Sequence, residues 1–530
     1  MKKINVLHLI FSIFLSISLY LKIVIDKNLD YFINKFHIDM LFIVEVTLLT
    51  CLIYYLLDKL FYLIDKIPLK KSKLVLNRKK IFLIFLAILT MGISYLIVYY
   101  PAVYLNDTLF MMYNPLTRGH PIIYGVFMSI TFFALKALFT PTITVLIMSI
   151  IQAIIASIIL TYVIIWFNKK VNNKILTILL ICYYVFLLII ACYNVALNKD
   201  TSFALAILLL FVFIYEIIES KGKILTNKRF LINLFIVSAV AISVRNNGIY
   251  VILLSLIIVF SAYGKKYKKQ CLSFLSLIII FLFIPAIVSK TLNAQQLKRE
   301  MYAVPIQQIS YLVKYHPNRL SKKDYQLLEK FIDNPKKNLA NNYEVFSVDR
   351  VKYDNSFKDK KFNKYSKKFL LLWISKFPKN ISSYTKSYLL NTYHLWSINK
   401  LDKSQSTFFS TSFIGAEVSK HIYHEELFPK DIQGKLTHFY YVYCSYLNPA
   451  ACFFLLLIIN LYARKHKKKE IIILSVPLIT LWLTLMIASP YSSALRYMSP
   501  YIYILPILLL YTFKITRKGV KNGLSRKSKK

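Results

Sequence analysis

Residues 143–167 read ITVLIMSIIQAIIASIILTYVIIWF, twenty-five consecutive residues without a charged side chain. A helix of about 20 apolar residues crosses the roughly 30 Å hydrocarbon core of a bilayer, because each residue adds about 1.5 Å. Eleven further apolar runs are spread along the chain, at roughly 5–25, 40–57, 81–100, 175–193, 201–218, 230–245, 249–263, 272–290, 444–463, 471–489 and 498–515. We therefore predict an all-α polytopic membrane protein with about twelve transmembrane helices.

The composition supports this class and excludes several others. Hydrophobic residues make up 57% of the 530 residues and charged residues only 17%, which is more apolar surface than a soluble chain of this length can bury. Glycine occurs only 10 times, and the sequence contains neither a GxGxxG nor a Walker A pattern, which argues against a nucleotide-binding loop. The six cysteines form no CxxC pair, so neither a zinc site nor a disulfide scaffold is predicted.

The net charge of +44 indicates membrane topology, and we expect no nucleic-acid partner. Lys and Arg gather in short clusters between the apolar runs, as the positive-inside rule requires. With a cytoplasmic N-terminus, the inner loops and termini hold 32 basic residues and the short outer loops hold six. The first apolar run lacks a small-residue cleavage site and is predicted to be a span. We therefore expect a multi-pass protein with cytoplasmic N- and C-termini.

Residues 121–139, PIIYGVFMSITFFALKALF, do not fit this alternation. If they crossed the membrane, the loop that contains Lys169 and Lys170 would face outward. Pro121 and Lys136 also make the segment a poor straight span. We therefore predict a juxtamembrane or re-entrant helix, and irregular structure at membrane depth usually lines a cavity.

A long polar stretch at about residues 291–440 interrupts the apolar pattern and holds 13 of the 24 acidic residues. It is long enough for a small domain with its own core. The alternation of the spans places it on the outer side of the membrane. We predict four parts, which are an N-terminal membrane domain with a catalytic-type outer loop, a mainly helical extracytoplasmic domain, C-terminal membrane helices and a basic cytoplasmic tail. Their bounds are 1–290 (outer loop 101–120), 291–440, 441–515 and 516–530.

Three acidic residues of the membrane domain have no obvious structural role. Glu45 lies within a span, and Asp107 and Asp200 each lie at the outer end of one. Glu45 can be functional, or it can pair with a lysine of a neighbouring helix. Asp107 shares a short outer loop with Arg118 and His120, and a carboxylate there can act as a general base toward a hydroxyl. The alternative is an ordinary solvated loop with a helix cap.

Other polar residues at predicted outer helix ends are suited to a phosphate-bearing ligand. Lys199 and Asp200 open an apolar run, although Asp200 could instead simply cap that helix. Arg245 and Asn247 share an outward-facing turn, and Arg496 precedes the last run. Both arginines lie in predicted outer loops, where the positive-inside rule makes basic residues rare. A phosphate is a suitable partner for them because a guanidinium group binds phosphate bidentately. Lipid headgroups are the alternative partner for Arg245.

A third pattern, His421-x-x-His424-Glu425, could place two metal ligands on one face of a helix. The spacing is not that of an HExxH motif, and the sequence places no third ligand. The segment is also surface-like in composition. An ordinary solvated segment is therefore the favoured interpretation, and no metal site is predicted here.

Short motifs occur in a fixed order along nearly the whole chain. They are Tyr100-Pro101, Asn106-Asp107-Thr108, His120-Pro121, Lys199-Asp200-Thr201, Arg245-Asn246-Asn247-Gly248, Val304-Pro305-Ile306-Gln307-Gln308-Ile309, Asp349-Arg350-Val351-Lys352, Trp373-Ile374-Ser375-Lys376-Phe377-Pro378 and Arg496-Tyr497-x-x-Pro500. In this order they resemble the GT-C type of integral-membrane glycosyltransferases. More narrowly, the chain resembles an uncharacterised bacterial membrane-protein family of that type.

The resemblance implies transfer of a sugar from a polyprenyl-phosphate donor to a cell-envelope acceptor, on the outer face of the bacterial plasma membrane and usually with inversion. It implies that Asp107, in the first large outer loop, is the catalytic general base. Many enzymes of this type carry two acidic residues in that loop where this chain has one, so the need for a divalent cation stays open. The substrate-binding residues expected around Asp107 are Arg118, His120, Lys199, Asp200, Arg245, Asn247 and Arg496.

The chemistry of such a transfer agrees with this placement. A prenyl-phosphate donor holds its sugar at the membrane interface, and the site needs a base, cations for the leaving phosphate and a cover that excludes water. One alternative function is a transporter or lipid flippase, with Glu45 and Arg245 along its path, and another is a non-catalytic envelope-assembly protein. Transporters usually show inverted halves with matching broken helices, and the sequence shows neither.

Overall fold

The computed structural model describes residues 5–69, 72–103, 106–116, 119–294, 297–399, 447–488 and 495–527, with short pieces at 431–432, 434–435 and 438–439. The structure is 81% helix and has no strand in these ranges. Among the described residues, seven helices are long and apolar enough to cross a membrane, or eight if one bent pair counts as a single span. The expected polytopic helical membrane protein is confirmed at this level.

The N-terminal membrane part is a succession of apolar helices that begin at polar capping residues. Asn77, Thr140 and Asn173 each accept a hydrogen bond from the first turn of a helix, which satisfies an otherwise unpaired backbone N–H group. The helices are α1 (Val6–Lys27), α2 (Leu29–Asn34), α3 (Met40–Lys66), α4 (Arg78–Val98), α5 (Asn106–Tyr113), α6 (Ile122–Lys136), α7 (Pro141–Val171), α8 (Lys174–Phe186), α9 (Leu188–Val195), α10 (Lys199–Glu219), α11 (Lys228–Val244), α12 (Gly248–Tyr263), α13 (Lys268–Phe281) and α14 (Phe283–Thr291).

Two segments depart from straight spans. The apolar run at 175–193 forms α8 and α9, which meet at Leu187 with a bend of 58°. The segment at 121–139 forms α6, whose 15 residues extend about 22 Å, short of a hydrocarbon core of about 30 Å. The length of α6 agrees with a juxtamembrane or re-entrant helix, and its position relative to the membrane stays a prediction.

The polar middle stretch is helical and shares its core with the first three helices. Phe32 on α2 and Phe42 on α3 belong to the same buried cluster as Tyr311 and Phe362 of the middle stretch. Lys386 also donates a hydrogen bond to the carbonyl of residue 33 in α2 at 3.0 Å. The middle stretch therefore packs against one end of the N-terminal helices. Its helices are α15 (Ala303–Tyr315), α16 (Lys322–Leu328), α17 (Pro335–Asn342), α18 (Asp349–Lys352), α19 (Asp359–Lys376), α20 (Ile381–Asn391) and α21 (Tyr393–Trp396).

The C-terminal helices close the bundle against α10. They are α22 (Pro449–Lys465), α23 (Lys469–Leu474), α24 (Val476–Ala488) and α25 (Ser499–Lys527). The hydroxyl of Ser499 donates to the carbonyl of Asp200 at 3.2 Å, which fixes the start of α25 beside the start of α10. The last helix continues into the basic residues predicted as a tail at 516–530.

Candidate functional site

The loop between α4 and α5 is held against the start of α10 by backbone and side-chain hydrogen bonds. The amide of Leu197 donates to the carbonyl of Val103 at 2.8 Å. The hydroxyl of Thr108, on the first turn of α5, donates to the carbonyl of Leu197 at 2.6 Å. Because Thr108 is fully buried, this contact is protected from water. Asp107, its neighbour in the chain, is thereby placed next to the first residue of α10.

Asn198 caps α10, which leaves the side chain of Asp200 available for other contacts. The side-chain oxygen of Asn198 accepts from the amide of Thr201 at 2.8 Å, and α10 begins at Lys199. The interpretation of Asp200 as the helix cap is therefore wrong. Asp200 lies in the first turn of α10, where the positive end of the helix dipole stabilises a carboxylate.

The carboxylate of Asp107 lies close to two cations from distant parts of the chain. The ammonium of Lys199 lies 3.0 Å from Asp107 Oδ2, and Nη1 of Arg496 lies 3.5 Å from the same oxygen. Nδ1 of His120 lies 3.0 Å from the ammonium of Lys199. Since an ammonium only donates, Nδ1 of His120 is the acceptor and the imidazole is neutral in this arrangement.

Asp200 forms a second, deeper ion pair with Arg245. Nη1 of Arg245 lies 2.8 Å from Asp200 Oδ1, and Nε of Arg496 lies 4.0 Å from Oδ2. The side chain of Asp200 is 0% exposed and that of Arg245 is 7% exposed. The guanidinium of Arg245 also lies 4.5 Å from the ring centre of Tyr497, a cation–π contact. The Asp107 cluster is hereafter the set Asp107, Lys199, Asp200, Arg245 and Arg496.

The Asp107 cluster combines three cations with two carboxylates in a buried place. Burial by itself raises the pKa of Asp107. The charges of Lys199 and Arg496 lower it by more than burial raises it, so the pKa lies well below its usual range. Burial and the charge of Lys199 lower the pKa of His120 to about 4, although Asp107 acts in the opposite direction. At neutral pH, Asp107 is therefore ionised, His120 is neutral, and the cluster has one more positive than negative charge.

The remaining predicted site residues lie elsewhere or outside the described ranges. Asn247 donates from its side chain to the hydroxyl of Thr484 at 3.1 Å, and so ties the α11–α12 turn to α24. Glu45 is exposed on α3. Its side chain is within hydrogen-bonding reach of the hydroxyl of Tyr20. The residues outside the described ranges are Arg118, His421, His424 and Glu425.

Two residues of this region were missed by the sequence analysis as site residues. The ring of Tyr497 lies beneath both arginines, with Arg496 at 4.7 Å from its centre, and its hydroxyl accepts from Arg496 Nη2 at 2.9 Å. Glu300, in the segment before α15, lies close enough for its charge to raise the pKa of His120. Tyr497 follows Arg496 in a quoted motif and could have been found, whereas no sequence signal distinguishes Glu300.

A divalent cation has no ligand set in the described part of the chain. No group of three or more His, Cys, Asp or Glu side chains is arranged there to hold a metal ion. The two carboxylates of the Asp107 cluster are instead paired with Lys and Arg side chains. The residues present around Asp107 are therefore suited to an anion.

A second group of charges lies at the other end of the helix bundle. Asp65, at the end of α3, accepts from Lys465 at 2.8 Å, from Tyr462 at 2.7 Å and from His466 at 3.0 Å. Arg517 of α25 donates to the carbonyl of Asp65. The Asp65 cluster is hereafter these five residues. Its Asp65–Lys465 pair is more open to water than the Asp200–Arg245 pair, with Asp65 27% and Lys465 37% exposed.

Comparison with known proteins assigns a family but no activity. The model of a family of unknown function (DUF6020) matches residues 100–526, which is most of the chain and includes all five residues of the Asp107 cluster. No curated protein matches the chain. No solved structure matches it either. The chain therefore belongs to this family of unknown function, DUF6020.

Proposed function

We propose that this protein is a membrane glycosyltransferase of the GT-C type, which moves a sugar from a polyprenyl-phosphate donor to a cell-envelope acceptor. The observation that carries the proposal is the Asp107 cluster, in which a carboxylate suited to proton transfer lies within 3.5 Å of two cations suited to a phosphate. The ordered motifs that resemble GT-C enzymes give the reaction class, and the geometry gives each residue a role.

The cations of the cluster are the donor-phosphate site. Six basic residues lie in the short loops predicted to face outward, and three of them, Lys199, Arg245 and Arg496, converge here. The two carboxylates neutralise only two of the three charges. A phosphate would supply the missing negative charge, and guanidinium groups bind it bidentately. Electrostatic interactions are also stronger in a buried site than in water.

Asp107 is the general base, and the donor phosphate controls its basicity. In the free protein, burial raises the pKa of Asp107, but pairing with Lys199 and Arg496 outweighs this effect and holds the pKa well below the usual range. A bound phosphate takes these cations as its own partners, which raises the pKa of Asp107 toward that of an effective base. The base is thereby activated only when a donor is present.

The proposed reaction then follows in one step. Asp107 accepts the proton of an acceptor hydroxyl while the acceptor oxygen bonds to the anomeric carbon of the sugar. The bond from that carbon to the phosphate oxygen breaks, and its electron pair leaves with the prenyl phosphate. Negative charge builds on this phosphate, so Lys199, Arg245 and Arg496 stabilise the transition state more than the ground state. Attack opposite the leaving group inverts the anomeric centre.

The orientation of the chain is part of the proposal. Twelve spans, cytoplasmic termini and a bacterial plasma membrane would place the Asp107 cluster at the outer face. The spacing of charges along α10 supports a span there, because Asp200 pairs with Arg245 at one end and Glu216 pairs with Lys170 at the other. The two carboxylates are 16 residue steps apart on α10, a rise of about 24 Å, which is close to the thickness of a hydrocarbon core.

Mass spectrometry of cell-envelope glycopolymers tests the function. A strain that lacks the gene should lose one glycan modification, and the wild-type gene should restore it. Asp107→Asn should fail to restore it at normal protein abundance, whereas Asp65→Asn, the same change in the Asp65 cluster, should restore it. An unchanged glycan profile in the deletion strain would contradict the proposal.

A further inference from the structure

A cavity of about 560 Å³ lies beside the Asp107 cluster. Its walls are the start of α6, the α11–α12 turn, the junction of α13 and α14, and the segment 297–301 that precedes α15. Its volume falls in the range of about 300–1,000 Å³ that is typical of small-molecule sites. His120 lines the cavity and also contacts Lys199, so the cavity adjoins the cluster through this imidazole.

The lining of the cavity contains an apolar and a polar set of residues, hereafter called its apolar side and its polar side. The apolar side includes aliphatic residues of α6, α11, α12, α14 and the α13–α14 junction, which are Ile122, Ile123, Ile242, Ile249, Leu282 and Pro285. The lining also includes Tyr250 on α12, whose side chain is exposed. The polar side consists of His120, Asn246, Asn247, Lys298 and Glu300. An amphiphilic molecule that enters from the lipid would match both sides.

The carboxylate of Glu300 is fixed at the polar side. It accepts from Lys352 at 2.7 Å and from the hydroxyl of Tyr353 at 3.1 Å. Burial raises the pKa of Glu300, but Lys352 and the other donors lower it by more than burial raises it. The carboxylate therefore stays ionised. With 29% of its side chain exposed, the carboxylate can accept further hydrogen bonds from a ligand.

The charge balance distinguishes this cavity from the Asp107 cluster. Lys298 and Glu300 contribute one charge of each sign, and His120 is neutral. The cavity therefore lacks the excess of cations that favours a phosphate. Hydroxyl groups suit it better, because they donate to a fixed carboxylate and accept from the side-chain amides of Asn246 and Asn247.

We propose that this cavity binds an amphiphile with an uncharged, sugar-bearing head group, which enters laterally from the membrane and donates hydroxyl hydrogen bonds to Glu300. The role of this amphiphile as the acceptor substrate rests on the proposed function. Its binding does not, because the cavity and the Asp107 cluster have different lining residues and different charge.

Binding of radiolabelled dodecyl maltoside to the full chain in lipid nanodiscs tests the proposal. Ile123→Trp fills the apolar side, and Glu300→Gln removes the carboxylate while Lys352 keeps Asp349 as a partner at 2.9 Å. Each change should weaken binding at least about tenfold, the loss expected for a charged hydrogen bond or a blocked site. The matched control is Glu344→Gln, which removes a carboxylate paired with Arg350 at 3.7 Å on the surface and should bind normally.

Competitors identify the part of the ligand that is recognised. Free maltose should compete poorly and an uncharged dodecyl polyoxyethylene ether should also compete poorly, because each lacks one half of the amphiphile. Equal competition by either molecule would overturn the proposal. So would unchanged binding in Ile123→Trp, a result that stays informative if Glu300→Gln fails to fold. Sugar transfer that persists without maltoside binding would refute this inference and leave the proposed function intact.

Discussion

The Asp107 cluster and the Asp65 cluster are both built from charges at helix ends, yet their surroundings differ. In the Asp65 cluster, the paired side chains are about one-third exposed. In the Asp107 cluster, Asp107 itself is 28% exposed, but Asp200 is 0% and Arg245 is 7% exposed. Exposed ion pairs contribute about 0–1 kcal/mol to stability because water screens them. Burying charges is expensive, so the buried Asp200–Arg245 pair marks the Asp107 cluster, and not the Asp65 cluster, as the candidate functional site.

The difference also concerns where the residues come from. The Asp65 cluster joins α3 to α22 and α25, at the end of the bundle where basic residues are abundant. The Asp107 cluster draws its charges from α5, α10, the end of α11 and the turn before α25, at an end where basic residues are scarce. We infer that the first cluster links helices and that the second binds and transforms a substrate.

The largest effect is expected from Asp107→Asn. Loss of a positioned general base should lower the turnover of sugar transfer by about 10²–10⁴-fold, because asparagine keeps the shape but accepts no proton. Asp65→Asn makes the same change in the Asp65 cluster and should leave turnover unchanged. Transfer assays with purified variants, together with their melting temperatures, check this. An equal loss in both variants would erase the distinction between the clusters.

Arg245→Ala should produce the next largest effect, on stability. It leaves the fully buried Asp200 without the guanidinium at 2.8 Å, and breaking a buried pair costs about 3–5 kcal/mol. The double variant Asp200→Ala, Arg245→Ala should be more stable than Arg245→Ala alone, because no buried charge is left unpaired. Lys465→Ala should cost no more than about 1 kcal/mol.

Denaturation in detergent micelles measures all three variants of this set. A similar loss of stability in Arg245→Ala and Lys465→Ala would show that the ion pairs of the Asp107 cluster are no better shielded from water than those of the Asp65 cluster. The burial of the Asp107 cluster would then carry no functional meaning.

The pH dependence of stability should show a smaller contribution from His120. Its pKa is about 4 in the folded protein and about 6.5 when unfolded, so only the unfolded chain binds the proton between these values. The contribution is complete above pH 6.5 and is lost as the pH falls toward 4, by roughly 1–3 kcal/mol. His120→Gln should show a shallower decline than the wild type, and equal slopes would contradict a lowered pKa of His120 in the folded protein.

The sequence predicted the components of the Asp107 cluster but not their assembly. Asp107, Lys199 and Arg245 stand out because charges are rare at the ends of apolar runs predicted to face outward. The hydrogen bond from Thr108 to Leu197 and the cap at Asn198 bring them together. The first contact joins residues far apart in the sequence, and the second required a choice between Asn198 and Asp200 as the helix cap. Periodicity and composition determine neither.

Other features escaped prediction for identifiable reasons. The bend between α8 and α9 occurs at Leu187, where neither Pro nor Gly marks a break. Glu300 lies in the middle stretch, where acidic residues are common, and its burial depends on Lys352 and Tyr353 far along the chain. The joint core of α1–α3 and the middle stretch likewise depends on contacts between segments more than 200 residues apart, such as Phe32 and Phe362.

Binding of undecaprenyl phosphate to the full chain in nanodiscs tests the central claim most directly. Arg496→Gln removes a cation from the Asp107 cluster, and Lys465→Gln removes one from the Asp65 cluster. The account predicts saturable binding to the wild type, unchanged binding to Lys465→Gln, and at least about tenfold weaker binding to Arg496→Gln, the loss of a charge-assisted hydrogen bond. Equal binding by both variants, or no saturable binding to the wild type, would contradict it.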